Sequence, residues 1–127
     1  MTEFGDCFEV AGNLQARHPD WVLCHGIAVL SGGPLRGRRF WHAWCEYDEE
    51  IELPPPEQRP EHMRELRNPK LTMVVDHSNG HDFEGPAVIF YGIGQVSQVW
   101  RYDRTEAAIQ MLRHEHWGPW VEAEDVL

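Results

Sequence analysis

The sequence predicts a single α+β domain in which an N-terminal helix packs on a small antiparallel β-sheet. Apolar residues recur at helical spacing near the start of the chain. Several short runs rich in β-branched residues follow, separated by Gly, Pro and Asn. The chain has 127 residues, of which 42% are hydrophobic, so it has the size and composition of one domain with a buried core. We therefore interpret residues 1–127 as one domain.

The first half of the chain is predicted to form a helix and a hairpin. A helix is expected over residues 6–17, because apolar residues recur every three or four positions until His18-Pro19 ends the pattern. Two apolar runs follow, at residues 21–30 and 38–47, with a Gly- and Pro-rich turn between them. This arrangement is typical of two antiparallel strands.

The second half is predicted to alternate between loops, strands and one helix. Residues 48–70 are acidic and rich in Pro, which favours an extended loop with one helical turn over residues 60–66. A second, polar loop is expected over residues 78–86. Short apolar runs predict further strands at residues 71–75, 87–91 and 96–102. Thr105-Glu106 marks the start of a final helix.

The charge of the chain limits its partners. The formal net charge is −10, with 21 acidic against 11 basic residues, which opposes binding to nucleic-acid phosphates or anionic lipid. No apolar run approaches the roughly 18 residues that span a membrane, and the first residues lack a signal-peptide pattern. We therefore expect a cytoplasmic protein. Cys7, Cys24 and Cys45 are far apart in the sequence and are expected to be reduced.

Three short segments contain the parts of a thiol nucleophile site. Gly5-Asp6-Cys7 lies at the predicted helix start, His42-Ala43-Trp44-Cys45-Glu46 on a strand, and Asp76-His77-Ser78-Asn79-Gly80 after another strand. A helix N-terminus stabilises a thiolate, and a nucleophilic thiol needs a base that a third group orients. These segments predict Cys7, His42 and Asp76 as catalytic residues.

Each catalytic candidate also has a purely structural interpretation. Cys7 can be a small buried apolar residue, His42 a packed and hydrogen-bonded histidine, and Asp76 a cap of the turn that follows through Ser78. Trp44 shares a strand face with His42 and forms an aromatic wall beside it. Trp44 and Asn79 are the residues that we expect to bind substrate.

Histidines are frequent but do not predict a metal site. The chain has eight histidines, yet none forms the closely spaced Cys/His pairs of a structural zinc module. We expect no metal and no other cofactor.

The ordered motifs resemble those of the transglutaminase-like and papain-like cysteine superfamily. The shared features are a Cys at a helix start, His-Ala-Trp-x-Glu on a strand and a following strand that ends in Asp, over the chain up to about residue 80. More loosely, the chain resembles small proteins of actinobacteria and their phages that end in a Gly-Pro-Trp-like segment. The resemblance implies a papain-like core in which Cys7 attacks a carbonyl carbon, His42 accepts and returns the proton, and Asp76 orients the imidazole.

Two functions are compatible with these patterns. The first is a thiol-dependent hydrolase or acyltransferase acting on an amide, isopeptide or thioester of a small molecule, peptide or protein. The second is a non-catalytic acidic binding protein, of a kind encoded by phages, that engages a host protein. The sequence leaves the substrate, the choice between hydrolysis and transfer, and the oligomeric state open.

Overall fold

The computed structural model describes residues 6–78 and 82–127. In this part of the chain, three α-helices accompany a five-stranded antiparallel sheet, so the predicted α+β class is confirmed. The helices are α1 (Cys7–Arg17), α2 (Ala87–Gly94) and α3 (Arg104–His114), and the strands are β1 (Val22–Val29), β2 (Arg39–Glu50), β3 (Lys70–Asp76), β4 (Phe83–Pro86) and β5 (Gln98–Tyr102). No helix among the described residues is long and apolar enough to cross a membrane.

The sheet leaves part of its central strand without a neighbour from β3. The strand order is β4-β3-β2-β1-β5, and β1 and β2 form the predicted hairpin. Strand β2 is the longest, and β3 pairs only with its residues 45–50. Residues 39–44 of β2 therefore extend past the end of β3, and this overhang places His42 beside the turn that follows Asp76.

Both faces of the sheet are covered by helices. Alternating side chains on β2 explain this: Ala43 and Cys45 belong to the core beneath α1 and α3, whereas Trp44 belongs to the core beneath α2. Gly26 on β1 lies against the Trp44 ring, and a Cβ at that position would collide with the indole. Because the side chains of β2 alternate between two buried faces, the register of β2 is fixed, and with it the face of the sheet on which His42 lies.

The ends of two helices follow local sequence signals. Helix α1 begins directly after Asp6, as expected, and ends before His18. Helix α3 begins with a capping box in which the Asp103 carboxylate accepts from the Glu106 N–H and the Glu106 carboxylate accepts from the Asp103 N–H. The helix therefore begins at Arg104, one residue before the predicted start at Thr105.

Three predictions about the second half of the chain are wrong in detail. Residues 87–91 form part of helix α2 instead of a strand, because a short apolar run with no polar face has no distinguishing period, and here it packs on the sheet. Residues 83–86, predicted as loop, form the edge strand β4. Strand β2 also continues to Glu50, inside the predicted loop, because β3 supplies main-chain partners there.

Candidate active site

The centre of the site is a buried histidine–aspartate pair. The Nε2 atom of His42 lies 2.6 Å from Oδ2 of Asp76, and the two residues are only 8% and 6% exposed. His42 comes from the part of β2 that extends past β3, and Asp76 is the last residue of β3. The sequence-predicted partnership between these two residues is thus present as a direct contact.

Ser78 holds the second oxygen of the Asp76 carboxylate. Its Oγ donates to Oδ1 at 2.6 Å, and its backbone N–H donates to the same oxygen at 3.2 Å. Ser78 is also buried. Asp76 therefore caps the following turn and binds His42 at the same time, which combines the two interpretations that the sequence left open. The Asp-x-Ser spacing was the signal for this contact, although it predicted only the turn.

Cys7 lies beside this pair at the first position of helix α1. It is 1% exposed and lines a narrow void with Ala43, Asp76 and Ser78, and the void is too small to hold a water molecule. Cys7 belongs to α1 and packs in the core that contains Ala43, whereas His42 packs near Phe90 of α2.

The electrostatics of His42 reflect both neighbours. Burial lowers the pKa of His42, but hydrogen bonding and charge interaction with Asp76 and with Cys7 outweigh it and raise the pKa to about 9. The pKa of Asp76 is lowered: burial raises it, but the contacts with His42 and Ser78 outweigh that effect. At neutral pH the pair is an imidazolium and a carboxylate.

One nitrogen of His42 is left open. Nδ1 is buried and has no hydrogen bond of regular geometry among the described residues, although the Cys7 thiol lies close enough to affect the pKa of the ring. Catalytic hydrogen bonds are often long or poorly aligned in the absence of substrate. Because Asp76 occupies Nε2, Nδ1 is the nitrogen that is free to exchange a proton with a thiol.

The predicted substrate-binding residues have different positions. Trp44 is fully buried, its indole N–H donates to Glu46 at 3.0 Å, and its ring packs near His42 and Phe90. Trp44 thus supports the imidazole from inside the core, and a contact with substrate stays a prediction. Asn79 and Gly5 lie outside the described residues.

A buried carboxylate network anchors α2 near the site, and sequence patterns gave no sign of it. Glu46 accepts hydrogen bonds from Trp44 and from the Tyr91 hydroxyl, and its other oxygen lies 3.3 Å from Nε of Arg101. Arg101 also donates to the Tyr91 hydroxyl at 2.6 Å. Burial and then Glu46 raise the pKa of Tyr91, so the phenol stays a donor. The network joins β2, α2 and β5 by contacts between residues distant in sequence.

The other cysteines differ from Cys7 in their surroundings. All three cysteines are free. The Cys45 thiol donates to the Ala11 carbonyl at 3.2 Å, and burial raises its pKa to about 12. Burial, followed by the charge of Glu46, raises the pKa of Cys24 well above its ordinary value. Cys7 affects the pKa of His42, whereas no histidine contributes to the raised pKa of Cys24 or Cys45, so these two cysteines serve as internal controls for reactivity.

Two further features lie apart from the site. An open depression of about 590 Å³ is bordered by Trp41, Pro119 and residues 121–124, and it does not include Cys7, His42 or Asp76. His25 is buried among Phe8, Tyr102 and Trp120, with neither ring nitrogen hydrogen-bonded among the described residues. Burial, with a smaller effect of His116, lowers the pKa of His25 to about 3.

Metal binding has no prepared position in the part of the chain that the structure describes. There, no three His, Cys, Asp or Glu side chains are grouped in a way that could hold an ion.

Comparison of the chain with protein families, with curated proteins and with solved structures finds no significant match. The functional case therefore rests on the residues of the site.

Proposed function

We propose that the chain is a thiol-dependent hydrolase or acyltransferase that acts on an amide, isopeptide or thioester. The observation that carries this proposal is the buried Cys7, His42 and Asp76 cluster, in which Asp76 holds one ring nitrogen and the other is open. Nδ1 has no regular hydrogen bond among the described residues, and the Cys7 thiol is close enough to raise the pKa of the ring, so this nitrogen is available for proton transfer with Cys7. The motifs' resemblance to transglutaminase-like and papain-like proteins supports the same core and the same roles.

The chemistry divides between the three residues. The Cys7 sulfur, as thiolate, bonds to the acyl carbon of the substrate, and the imidazolium of His42 gives its proton to the leaving amine or thiol. The acyl group is then a thioester on Cys7. Water, or an acceptor amine in a transfer reaction, attacks this thioester while neutral His42 takes the proton and Cys7 leaves as thiolate. Asp76 keeps the ring oriented and stabilises its protonated form.

The position of Cys7 in α1 adds two contributions. The first N–H groups of a helix have no partner within the helix, and their partial positive charge stabilises an adjacent thiolate. The backbone N–H of Cys7 is the first donor that we assign to the oxyanion of the tetrahedral intermediate. A second donor has no assignment among the described residues.

The site has to open before a substrate can enter. Cys7 is 1% exposed, and the adjacent void does not hold a water molecule. Entry of a substrate, and of water for hydrolysis, therefore requires that side chains around Cys7 separate. Three free cysteines suit a reducing compartment, so we place this activity in the cytoplasm.

Acyl-adduct formation tests the proposed function directly. The folded chain would be incubated with an acetyl thioester, an activated ester and a peptide amide, and adducts would be located by peptide mass spectrometry. We expect acylation at Cys7, slower turnover of the adduct in His42→Ala, and no adduct on Cys24 or Cys45. Equal labelling of all three cysteines would contradict the proposal.

A second candidate function is supported by the same closed site. A non-catalytic acidic protein that engages a basic partner does not need access to Cys7, and the net charge of −10 suits such binding. In that case the histidine–aspartate pair only stabilises the fold. Salt-dependent binding of a basic protein by a Cys7→Ala chain, with no acylation of the native chain, would favour this alternative.

A further inference from the structure

The overhanging edge of β2 is occupied by another segment of the chain. The Leu127 N–H donates to the Arg39 carbonyl at 2.9 Å, and the Trp41 N–H donates to the Leu127 carbonyl at 3.2 Å. Val126 forms a parallel bridge with Arg39, whose guanidinium also donates to the Glu124 carbonyl at 3.5 Å. Residues 126–127 thus pair with β2 through main-chain hydrogen bonds, directly after a turn at residues 124–125 in which Asp125 has a φ of 57°.

This position is adjacent to the candidate active site. The paired residues 39–41 end one residue before His42, on the part of β2 that β3 does not reach. The added segment runs parallel to β2, so its direction leads towards the level of His42 and the end of β3. Because a strand rises roughly 3.3 Å per residue, a chain continued by one or two residues would bring a main-chain carbonyl level with the site.

We propose that the β2 edge at residues 39–41 is the substrate subsite, and that it takes an extended peptide by parallel strand addition. Residues 126–127 occupy this edge through two main-chain hydrogen bonds and compete with the incoming peptide. The inference rests on the proposed function and narrows its substrate to a peptide or protein acyl group. Main-chain hydrogen bonds supply the affinity in strand addition, so recognition depends on an extended backbone.

The edge at residues 39–41 is paired with residues 126–127, so a peptide has to compete for the same main-chain groups. An unpaired strand edge offers free N–H and C=O groups to any extended chain. A tethered segment has an effective local concentration in the millimolar range, so it excludes a weakly binding free peptide. A substrate has to displace it, and displacement exposes the end of β2 beside His42.

The first test measures binding without catalysis, in a Cys7→Ala background. Leu127→Pro removes the N–H that donates to Arg39, whereas Leu127→Ala keeps it and is the matched control. The probe is a capped peptide with the sequence of residues 120–127. Its binding is monitored through the amide NMR signal of Trp41. We expect the peptide to bind about tenfold more tightly to Leu127→Pro than to Leu127→Ala, as measured from the shift of this signal.

A second peptide checks the main-chain contact. Methylation of the nitrogen of its last leucine removes the donor, and we expect this peptide to lose the effect on Trp41. An unchanged Trp41 signal in the Pro variant, or equal binding by the methylated peptide, would overturn the proposed subsite. Because Cys7 is absent, that failure would leave the proposed catalysis untouched.

Discussion

Replacing Asp76 by Asn tests the electrostatic core of the site with little change in shape. The pKa of His42 is about 9 in the folded chain against an ordinary value of 6.5. That difference corresponds to about 3 kcal/mol in favour of the protonated, folded form. Asn removes the charge that holds the imidazolium, while burial of the ring still lowers its pKa. We therefore expect Asp76→Asn to bring the pKa of His42 well below 9.

The pH dependence follows from the directions of the two pKa changes. His42 has a raised folded pKa, so its contribution is complete below pH 6.5 and is lost as the pH rises through about 9. Asp76 has a lowered folded pKa, so its contribution is present above 3.8 and is lost as the pH falls through the lower folded value. The native chain should lose about 3 kcal/mol of unfolding free energy between pH 6 and pH 10, and Asp76→Asn should lose much less.

Urea denaturation at several pH values, with NMR titration of the His42 ring, measures both quantities. Asp82→Asn is the matched control, because Asp82 is 86% exposed and lies 3.3 Å from the half-exposed ring of His77. A surface pair of this kind contributes less than about 1 kcal/mol, so its removal should leave the pH profile unchanged. A His42 that titrates near 6.5 in the native chain would refute the reasoning.

Two other substitutions give independent predictions. Ser78→Ala removes the hydroxyl that donates to Asp76 and should destabilise the chain by about 1–3 kcal/mol. Ser78→Thr keeps the hydroxyl and should recover this stability. Denaturation at pH 7 measures the difference, and no loss in Ser78→Ala would show that the contact does not stabilise the fold. His25 has a pKa of about 3 in the folded chain and 6.5 in the unfolded chain. Below pH 6.5 the unfolded chain therefore binds a proton that the folded chain does not, and up to about 5 kcal/mol of unfolding free energy is lost as the pH falls to 3. His25→Phe should remove this acid slope, and an equally steep slope in the variant would contradict the assignment.

Local signals in the sequence predicted the elements that carry the catalytic candidates. Helix α1 has a regular apolar spacing, and the β1–β2 hairpin has two apolar runs around a turn, so both were predicted nearly in full. Helix α2 was not, since an eight-residue apolar run does not distinguish a helix from a strand. The edge strand β4 is short and partly polar, and it depends on pairing with β3.

The site itself was predictable only in part. The contact between His42 and Asp76 follows from strand ends and alternation, and it was predicted. The role of Ser78 on the carboxylate depends on the exact turn after β3, and the Glu46 network joins three elements that are distant in the sequence. The pairing of residues 126–127 with β2 gave no sequence signal, because it requires the overhang of β2 beyond β3.

Site-resolved alkylation of the folded chain by iodoacetamide tests the central claim most directly, namely that Cys7 and His42 act as a nucleophile pair. Rates would be measured from pH 5 to 10 at each cysteine by peptide mass spectrometry, in the native chain and in His42→Ala. We expect that Cys7 reacts fastest at neutral pH, that His42→Ala removes this advantage, and that Cys24 and Cys45 stay slow in both chains. A Cys7 that reacts no faster than Cys24 and Cys45, or equally fast without His42, would contradict it.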